Sequence, residues 1–392
     1  MVLLLPTTTY RATDFLTAAR ALGIEVVIAS DQLSPTADIG GLRAVEVPFD
    51  DPEGAAALLI NLDDRGPIDG IVPVDDRGVM AAAHTAEKLG LAHNPPEAAA
   101  RTRDKRALRD ALAAAEVPQP RYAEITDLDH LPDVGYPCVV KPAGLSASQG
   151  VIRADDETAA LAAARRADAI ACGEPLLVEE YVPGFEVAVE GLLRGGELEV
   201  LAVFDKPDPL VGPYFEETIY VTPSRFAPAI LAQVEQLTQR AARALELREG
   251  PVHAELRIDG RDIRVIDVAA RSIGGLCARA LRFGAGISLE EVILRHAVGL
   301  PLDDLGREDA ASGVMMIPIP RSGTLRAVDG QDEARAIDGI VGVEISIGPG
   351  RPVVALPEGN RYLGFVFARG DTPAAVEQAL RTAHARLRIT ID

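Results

Sequence analysis

Residues Pro251–Gly275 read PVHAELRIDGRDIRVIDVAARSIGG, and their alternation decides how the chain folds. Val252, Ala254, Leu256 and Ile258 fall on one face of a strand, and His253, Glu255 and Arg257 on the other. In the second run Ile266, Val268 and Ala270 share a face, with Val265, Asp267, Ala269 and Arg271 opposite. Stacking apolar on apolar sets Leu256 across from Ile266 and leaves Gly260-Arg261-Asp262 as a three-residue hairpin loop. That register puts Glu255 opposite Asp267, with Arg271 further along the same face. A two-residue loop would send the carboxylates to opposite faces, because a one-residue slip inverts a strand.

Two carboxylates this close repel unless a proton or a cation lies between them. Oxygen ligands suit Mg²⁺, which is commonly bound by one or two carboxylates together with substrate phosphates. The alternative for the hairpin alone is a solvated strand face whose acids pair with Arg257 and Arg264.

The remaining 367 of 392 residues supply context. A chain this long holds two or three domains. Hydrophobic residues make up 48% and charged residues 25%, an ordinary balance for a globular protein. A net charge of −20 argues against general nucleic-acid or anionic-membrane binding. Cys138, Cys172 and Cys277 are odd in number and widely spaced, so neither a disulfide framework nor a zinc pattern follows, which fits a reducing cytoplasm. Val2–Pro6 is too short for a signal sequence or a membrane span.

Taken in order, the chain alternates strands and helices over residues 1–95: strands Val2–Leu5, Glu25–Ala29, Ala44–Val47 and Gly70–Pro73, helices Asp14–Leu22, Pro52–Leu62 and Val79–Leu89. This pattern predicts a parallel, doubly wound layer. No GxGxxG follows the first strand, so a dinucleotide site has no local support. Asn94-Pro95-Pro96 marks a boundary, and a helix opens at Thr102–Lys105. Strand Tyr136–Lys141 ends in a lysine and runs into the small-residue loop Ala143–Val151. Such loops let backbone N–H groups approach phosphate oxygens, although taken alone a loop of this kind is more often a simple turn. Leu176–Val182 and Glu186–Leu193 are acidic strands; an edge strand would offer adenine free backbone groups, and pairing of Glu179 or Glu186 with an arginine across the strands fits equally. Asp205–Pro223 reads as a long shaped loop, with Lys206, Glu216, Glu217 and Arg225 as its polar contacts. Leu276–Phe283 reads as a helix behind Gly274-Gly275, with Cys277 as a buried thiol. Beyond Pro301 the strands Gly313–Pro320, Gly342–Ile347 and Tyr362–Ala368 and the helix Thr372–Leu387 suggest a small α+β cap with nothing catalytic in it.

A helix lysine, a strand lysine, a Gly/Ser loop, an acidic strand, then two carboxylates with an arginine form an ordered set. It resembles the ATP-grasp superfamily, and within it the carboxylate–amine ligases similar to L-amino-acid (dipeptide) ligases. The resemblance implies an ATP-grasp fold of mixed α/β and α+β class. A parallel N-terminal domain would span 1–95. The ATP-grasp domain would span 96–300, with a small nucleotide lobe near 118–180 and a larger lobe near 181–300. A C-terminal α+β domain would span 301–392. It further implies that Lys105 and Lys141 hold ATP phosphates and adenine, and that Ser146–Val151, including Ser148 and Gly150, closes over the triphosphate. Glu179, Glu180 and Val182 would form the adenine hinge, Glu186 would bind ribose, and Glu255 and Asp267 would hold Mg²⁺. Arg271 would face the γ-phosphate and, with Lys141, act in catalysis. The family pattern Glu-x-Asn-x-Arg stands here as Asp267-Val268-Ala269-Ala270-Arg271. Aspartate is the shorter ligand, and Ala269 occupies the asparagine's place, so one metal or a different oxygen ligand remains open.

The activity implied is ATP-dependent joining of a carboxylate, an amino acid or other small acid, to an amine through an acyl phosphate. A kinase on the same fold and a nucleotide-binding protein without turnover are the alternatives. The implied partners are small molecules, with no nucleic acid or membrane, and a two-fold dimer is the base expectation.

Overall fold

The computed structural model describes residues 1–33, 43–63, 66–284, 286–302 and 305–392. Near the N-terminus, four parallel strands lie in the order Arg43–Glu46, Val27–Ser30, Val2–Leu4, Ile71–Pro73. Val2–Leu4 is buried on both sides, as a continuous apolar run in a parallel sheet should be. Leu3 packs with Phe15, Ala18 and Ala19 of helix Ala12–Leu22, whereas Val2 and Leu4 meet helices Pro52–Asp63 and Val79–Leu89. Helices thus cover both faces, as the alternating pattern predicts. Gly23 and Gly90 end two of these helices in the left-handed conformation.

Helices Pro96–Arg103 and Lys105–Ala114 meet at Asp104, whose carboxylate accepts the Arg106 N–H at 2.8 Å. Lys105 is therefore the first residue of its helix. A four-stranded antiparallel sheet follows, ordered Tyr122–Ile125, Leu176–Glu180, Cys138–Pro142, Ile152–Ala154. Helix Glu157–Ala171 lays its alanine face on it. The strand Leu176–Glu180 lies inside this sheet rather than at its edge.

The largest sheet has eight antiparallel strands: Asp262–Ala269, Gly250–Asp259, Phe185–Arg194, Glu197–Lys206, Ile219–Thr222, Ala311–Ile317, Gly364–Gly370 and Ile340–Ile345. The last three come from the expected cap, which therefore extends the central sheet instead of standing apart. Ile219–Thr222 is a strand within the segment read as a loop, and Lys206 ends another strand. Leu276–Phe283 forms only a short 3-10 turn, Cys277–Ala280. Among the described residues no helix is long and apolar enough to cross a membrane.

The opening hairpin differs from the expected register in an instructive way. Asp259 faces Asp262, so the loop is the two residues Gly260-Arg261, and Leu256 faces Val265. Yet Glu255 does face Asp267. A β-bulge reconciles the two: Ile266 is an extra residue between these pairs. It reverses the alternation once more, which returns Asp267 to the face that a two-residue loop alone would deny it. Val265 accordingly turns to the core, while Ile266 lines the cavity.

Candidate active site

A cavity of about 270 Å³ lies between the two larger sheets and the N-terminal domain. Lys105, Lys141, Ser146, Ser148, Glu179, Glu180, Val182, Glu186, Glu255, Asp267 and Arg271 all line it. Of the residues singled out from the sequence, Gly150 lies behind the wall. Its N–H donates to Pro357 O at 2.9 Å. Its φ of +74° and the 2.7 Å gap a Cβ would leave to Pro142 explain the glycine.

At one end, Lys141 Nζ lies 2.7 Å from Glu179 Oε2. The same carboxylate accepts from Arg109 Nε at 2.7 Å and Nη2 at 3.0 Å. Burial works against ionised Glu179, but Arg109 and Lys141 outweigh it and hold the group at about 2. Lys141 is pulled down to about 8, since burial, aided by Arg109, outweighs the pull of Glu179. Arg109 is fully buried and also donates to Val265 O and Ile266 O, the carbonyls at the bulge. Lys105 Nζ donates to Leu145 O at 2.6 Å, tying its helix to the small-residue loop. In that loop Ala147 and Ser148 hold φ of +55° and +56°, a conformation uncommon for side-chain-bearing residues.

Glu179, Glu180 and Val182, expected at the adenine, line the cavity beside Tyr181. Glu180 N–H donates to Arg121 O and Tyr181 N–H to Pro137 O, and the Glu180 carboxylate pairs with Arg121 and Arg264. Glu179 is taken up by its ion pairs, and Val182 O accepts from Arg257. Glu186, expected beside ribose, is bonded on both oxygens: Oε1 by Lys206 at 2.7 Å and Oε2 by Arg257 at 2.8 Å.

The middle of the cavity is acidic. Oxygens of Glu186, Glu217 and Glu255 lie within 4.8 Å of one another. Lys206 Nζ sits among them, 2.7 Å from Glu186, 2.8 Å from Glu255 and closer still to Glu217. Burial alone would lower the lysine's pKa, but the three carboxylates hold it well above the usual value. Glu217 is raised to about 7 by burial and by Glu255. Glu255 is held well below its usual range by Lys206 and His253 despite its burial. His253 Nδ1 lies 3.2 Å from Glu190, and Nε2 lies 3.8 Å from Glu255. An all-oxygen donor set of this kind fits a hard divalent cation. Lys206 and Glu217 were legible in the sequence only as polar members of a supposed loop. Glu216 and Arg225 do not line the cavity.

At the far end Arg271 Nη2 donates to Asp76 Oδ2 at 3.0 Å, and Arg103 pairs with the other oxygen. Asp75 and Asp76 thus bring the N-terminal domain to the site. Asp75 is pushed up to about 6 by burial and by Asp76. Buried Arg11 donates to Ser272 Oγ, Ile273 O and Glu290, and Glu190 accepts the Ile273 N–H. The segment after Arg271 is thereby fixed from two sides. Cys277 is buried, 3.6 Å from Met316 Sδ, and burial pushes its thiol up.

Residues 134–280 match the family model of the ATP-grasp domain, residues 16–93 that of the ATP-grasp N-terminal domain, and residues 315–392 that of L-amino acid ligase C-terminal domain 2. The chain thus carries an ATP-grasp domain over residues 134–280 and an ATP-grasp N-terminal domain over residues 16–93. An L-amino acid ligase from Bacillus licheniformis superposes with a TM-score of 0.83 at 25% identity, over 100% of this chain and 98% of that one. An uncharacterised Sinorhizobium fredii protein, y4rH, is 26% identical over 79% of this chain and 67% of its own length. An alanine–anticapsin ligase of Bacillus subtilis is 26% identical over 58% of this chain. The match spans about half, 53%, of that ligase.

Proposed function

We propose that this chain is an ATP-dependent ligase that joins a small carboxylic acid, an amino acid in the first instance, to an amine. The carboxylate oxygen attacks the γ-phosphorus, giving an acyl phosphate and ADP. The amine nitrogen then attacks the acyl carbon, phosphate leaves, and the amine sheds a proton. Phosphoryl transfer of this kind is catalysed chiefly by positioning and by neutralising charge. One observation carries the reading: Glu255 and Asp267 face each other across the hairpin and open on a cavity shared with Lys141 and Arg271.

Glu255 and Asp267 would hold Mg²⁺, which when bound supplies charge neutralisation at the phosphates. Lys141 and Lys105 bind and orient the phosphates from the opposite wall. Ser146–Val151 covers them and excludes water, which a hydrolysable acyl phosphate requires. Arg271 holds the developing charge where acid and γ-phosphate meet. The working parts divide near residues 95 and 300, with the first and last segments shaping the substrate end. Two copies per assembly and a cytoplasmic setting complete the reading.

The test is release of ADP and phosphate from ATP and Mg²⁺ with amino-acid mixtures, with the amide identified by mass. Glu255→Gln is expected to abolish turnover, and full activity in that variant refutes the metal role. A stable phosphorylated product without amide identifies a kinase. A second reading, nucleotide binding without turnover, draws on the Lys206 ammonium already seated among the carboxylates. Tight ATP binding with no ADP release across the panel selects it.

A further inference from the structure

Three carboxylates whose oxygens crowd within 4.8 Å cannot all stay ionised in a dry site without cations among them. Two cations are built in. Arg257 takes the outer oxygen of Glu186, and Lys206 touches all three acids. The placement of Lys206 is fixed by the sheet itself. Lys206 lies directly across from Glu186, and Glu186 directly across from Arg257 on the next strand. The three charges therefore form one row over three neighbouring strands. The lysine side chain is 3% exposed and lies 5.1 Å over the Tyr220 ring. A lysine so held is a fixed point charge, unlike a mobile surface amine.

The hairpin offers little to a second divalent ion. Glu255 and Asp267 supply one pair of carboxylates, and the residues that follow Asp267 along the cavity, Val268 and Ala269, have no side-chain ligand atom. The oxygens that a second ion would need, on Glu186 and Glu217, already contact the ammonium. A divalent ion on these oxygens would lie beside the buried ammonium, and two cations so close in a dry site repel.

We propose that the Lys206 ammonium is the resident cation of the Glu186–Glu217–Glu255 cluster, so that the chain takes a single divalent metal, on Glu255 and Asp267. This rests on the nucleotide-dependent ligase reading and adds to it a count of metals and a role for one lysine. Lys206 occupies with a fixed charge the place a second metal would take. It also holds Glu255 in position beside Asp267.

The experiment is a Mn²⁺ titration of the full chain, saturated with β,γ-methylene-ATP, with free Mn²⁺ read by electron paramagnetic resonance. The wild type is expected to bind one Mn²⁺. Lys206→Met is expected to admit a second ion, bound about tenfold or more tighter than any second ion in the wild type, and to gain melting temperature on adding Mn²⁺. Lys206→Arg, which keeps the charge, is expected to bind one. Glu217→Gln does not depend on the Met variant folding. It is expected to leave the number and affinity of bound Mn²⁺ within about threefold of the wild type, because Glu217 serves the lysine. Two ions of similar affinity in the wild type, or a loss of about tenfold in Glu217→Gln, overturns the assignment. If either occurs while ADP is still released with amino acids, the ligase reading stands and only the lysine's role falls. If the chain binds neither the nucleotide analogue nor Mn²⁺, both fall.

Discussion

Glu179→Gln is the most informative single change at the Lys141 end of the cavity. The carboxylate is 4% exposed and bonds Arg109 twice and Lys141 once. Its descent from an ordinary 4.5 to about 2 corresponds to about 3 kcal/mol in favour of the charged form, at about 1.4 kcal/mol per pH unit. Lys141 moves by a similar amount in the unfavourable direction, from 10.5 to about 8. Burial thus offsets part of what the pairing contributes, as in buried ion pairs generally. Breaking it is another matter. Glutamine leaves two buried cations with no counter-ion, a loss of about 3–5 kcal/mol. A fall in melting temperature of about 4–6 °C at pH 7 follows. Because the folded pKa of Glu179 is depressed, its contribution is complete above about 4.5 and disappears as pH falls towards about 2. The gap between variant and wild type should close over that window. The assay is a set of thermal melts from about pH 2 to pH 7, with Glu179→Gln/Lys141→Met alongside. The double variant should recover part of the loss, because it removes one of the stranded charges. A single variant that melts within about 1 °C of the wild type at pH 7 refutes the reasoning.

Asp75, raised to about 6, gives the opposite pH signature. Its ionised form costs stability above about 6 and nothing below its ordinary 3.8, so Asp75→Asn should gain about 1 kcal/mol at pH 8 and nothing at pH 4, measured by thermal melts. Gln149 Nε2 donates to Glu358 O at 2.8 Å and ties the Ser146–Val151 loop to the C-terminal segment. Gln149→Ala should raise ATP hydrolysis in the absence of amine by about two- to tenfold, as water reaches the acyl phosphate, and lower the amide formed per ATP. Comparing phosphate release with amide yield checks this, and an unchanged ratio counts against a sealing role.

Local patterning made much of this fold legible. Helix Val79–Leu89 has the same limits in sequence pattern and structure, and the other N-terminal elements agree within two residues. Their signals are self-contained: apolar periodicity, a glycine stop, a buried strand. The expected site residues other than Gly150 meet in one cavity for a similar reason, because local pattern marks the strands, the helix start and the turns that carry them. What stayed hidden depends on partners distant in sequence. Lys206 reads as a loop lysine until the neighbouring strands set Glu186 across from it. Ile219–Thr222 is only four residues long, inside a proline-rich stretch, and becomes a strand by pairing with Asp205 and Ala311–Ile317. The C-terminal strands join the central sheet through that same short strand, and nothing in their own sequence announces it.

The hairpin shows how a correct pairing can rest on an incorrect register. Apolar stacking demanded that Glu255 and Asp267 share a face, and a three-residue loop was the simplest way to provide it. The chain uses a two-residue loop and one extra residue at Ile266. Bulges are local departures from the ladder that leave backbone groups to be satisfied elsewhere. Here Arg109 satisfies the carbonyls of Val265 and Ile266 from the helix that begins at Lys105. The same guanidinium grips Glu179, which in turn grips Lys141. One buried arginine therefore connects the bend that aims Asp267 with the lysine at the opposite wall, so that the spacing between the two ends of the cavity is set by a single rigid fork.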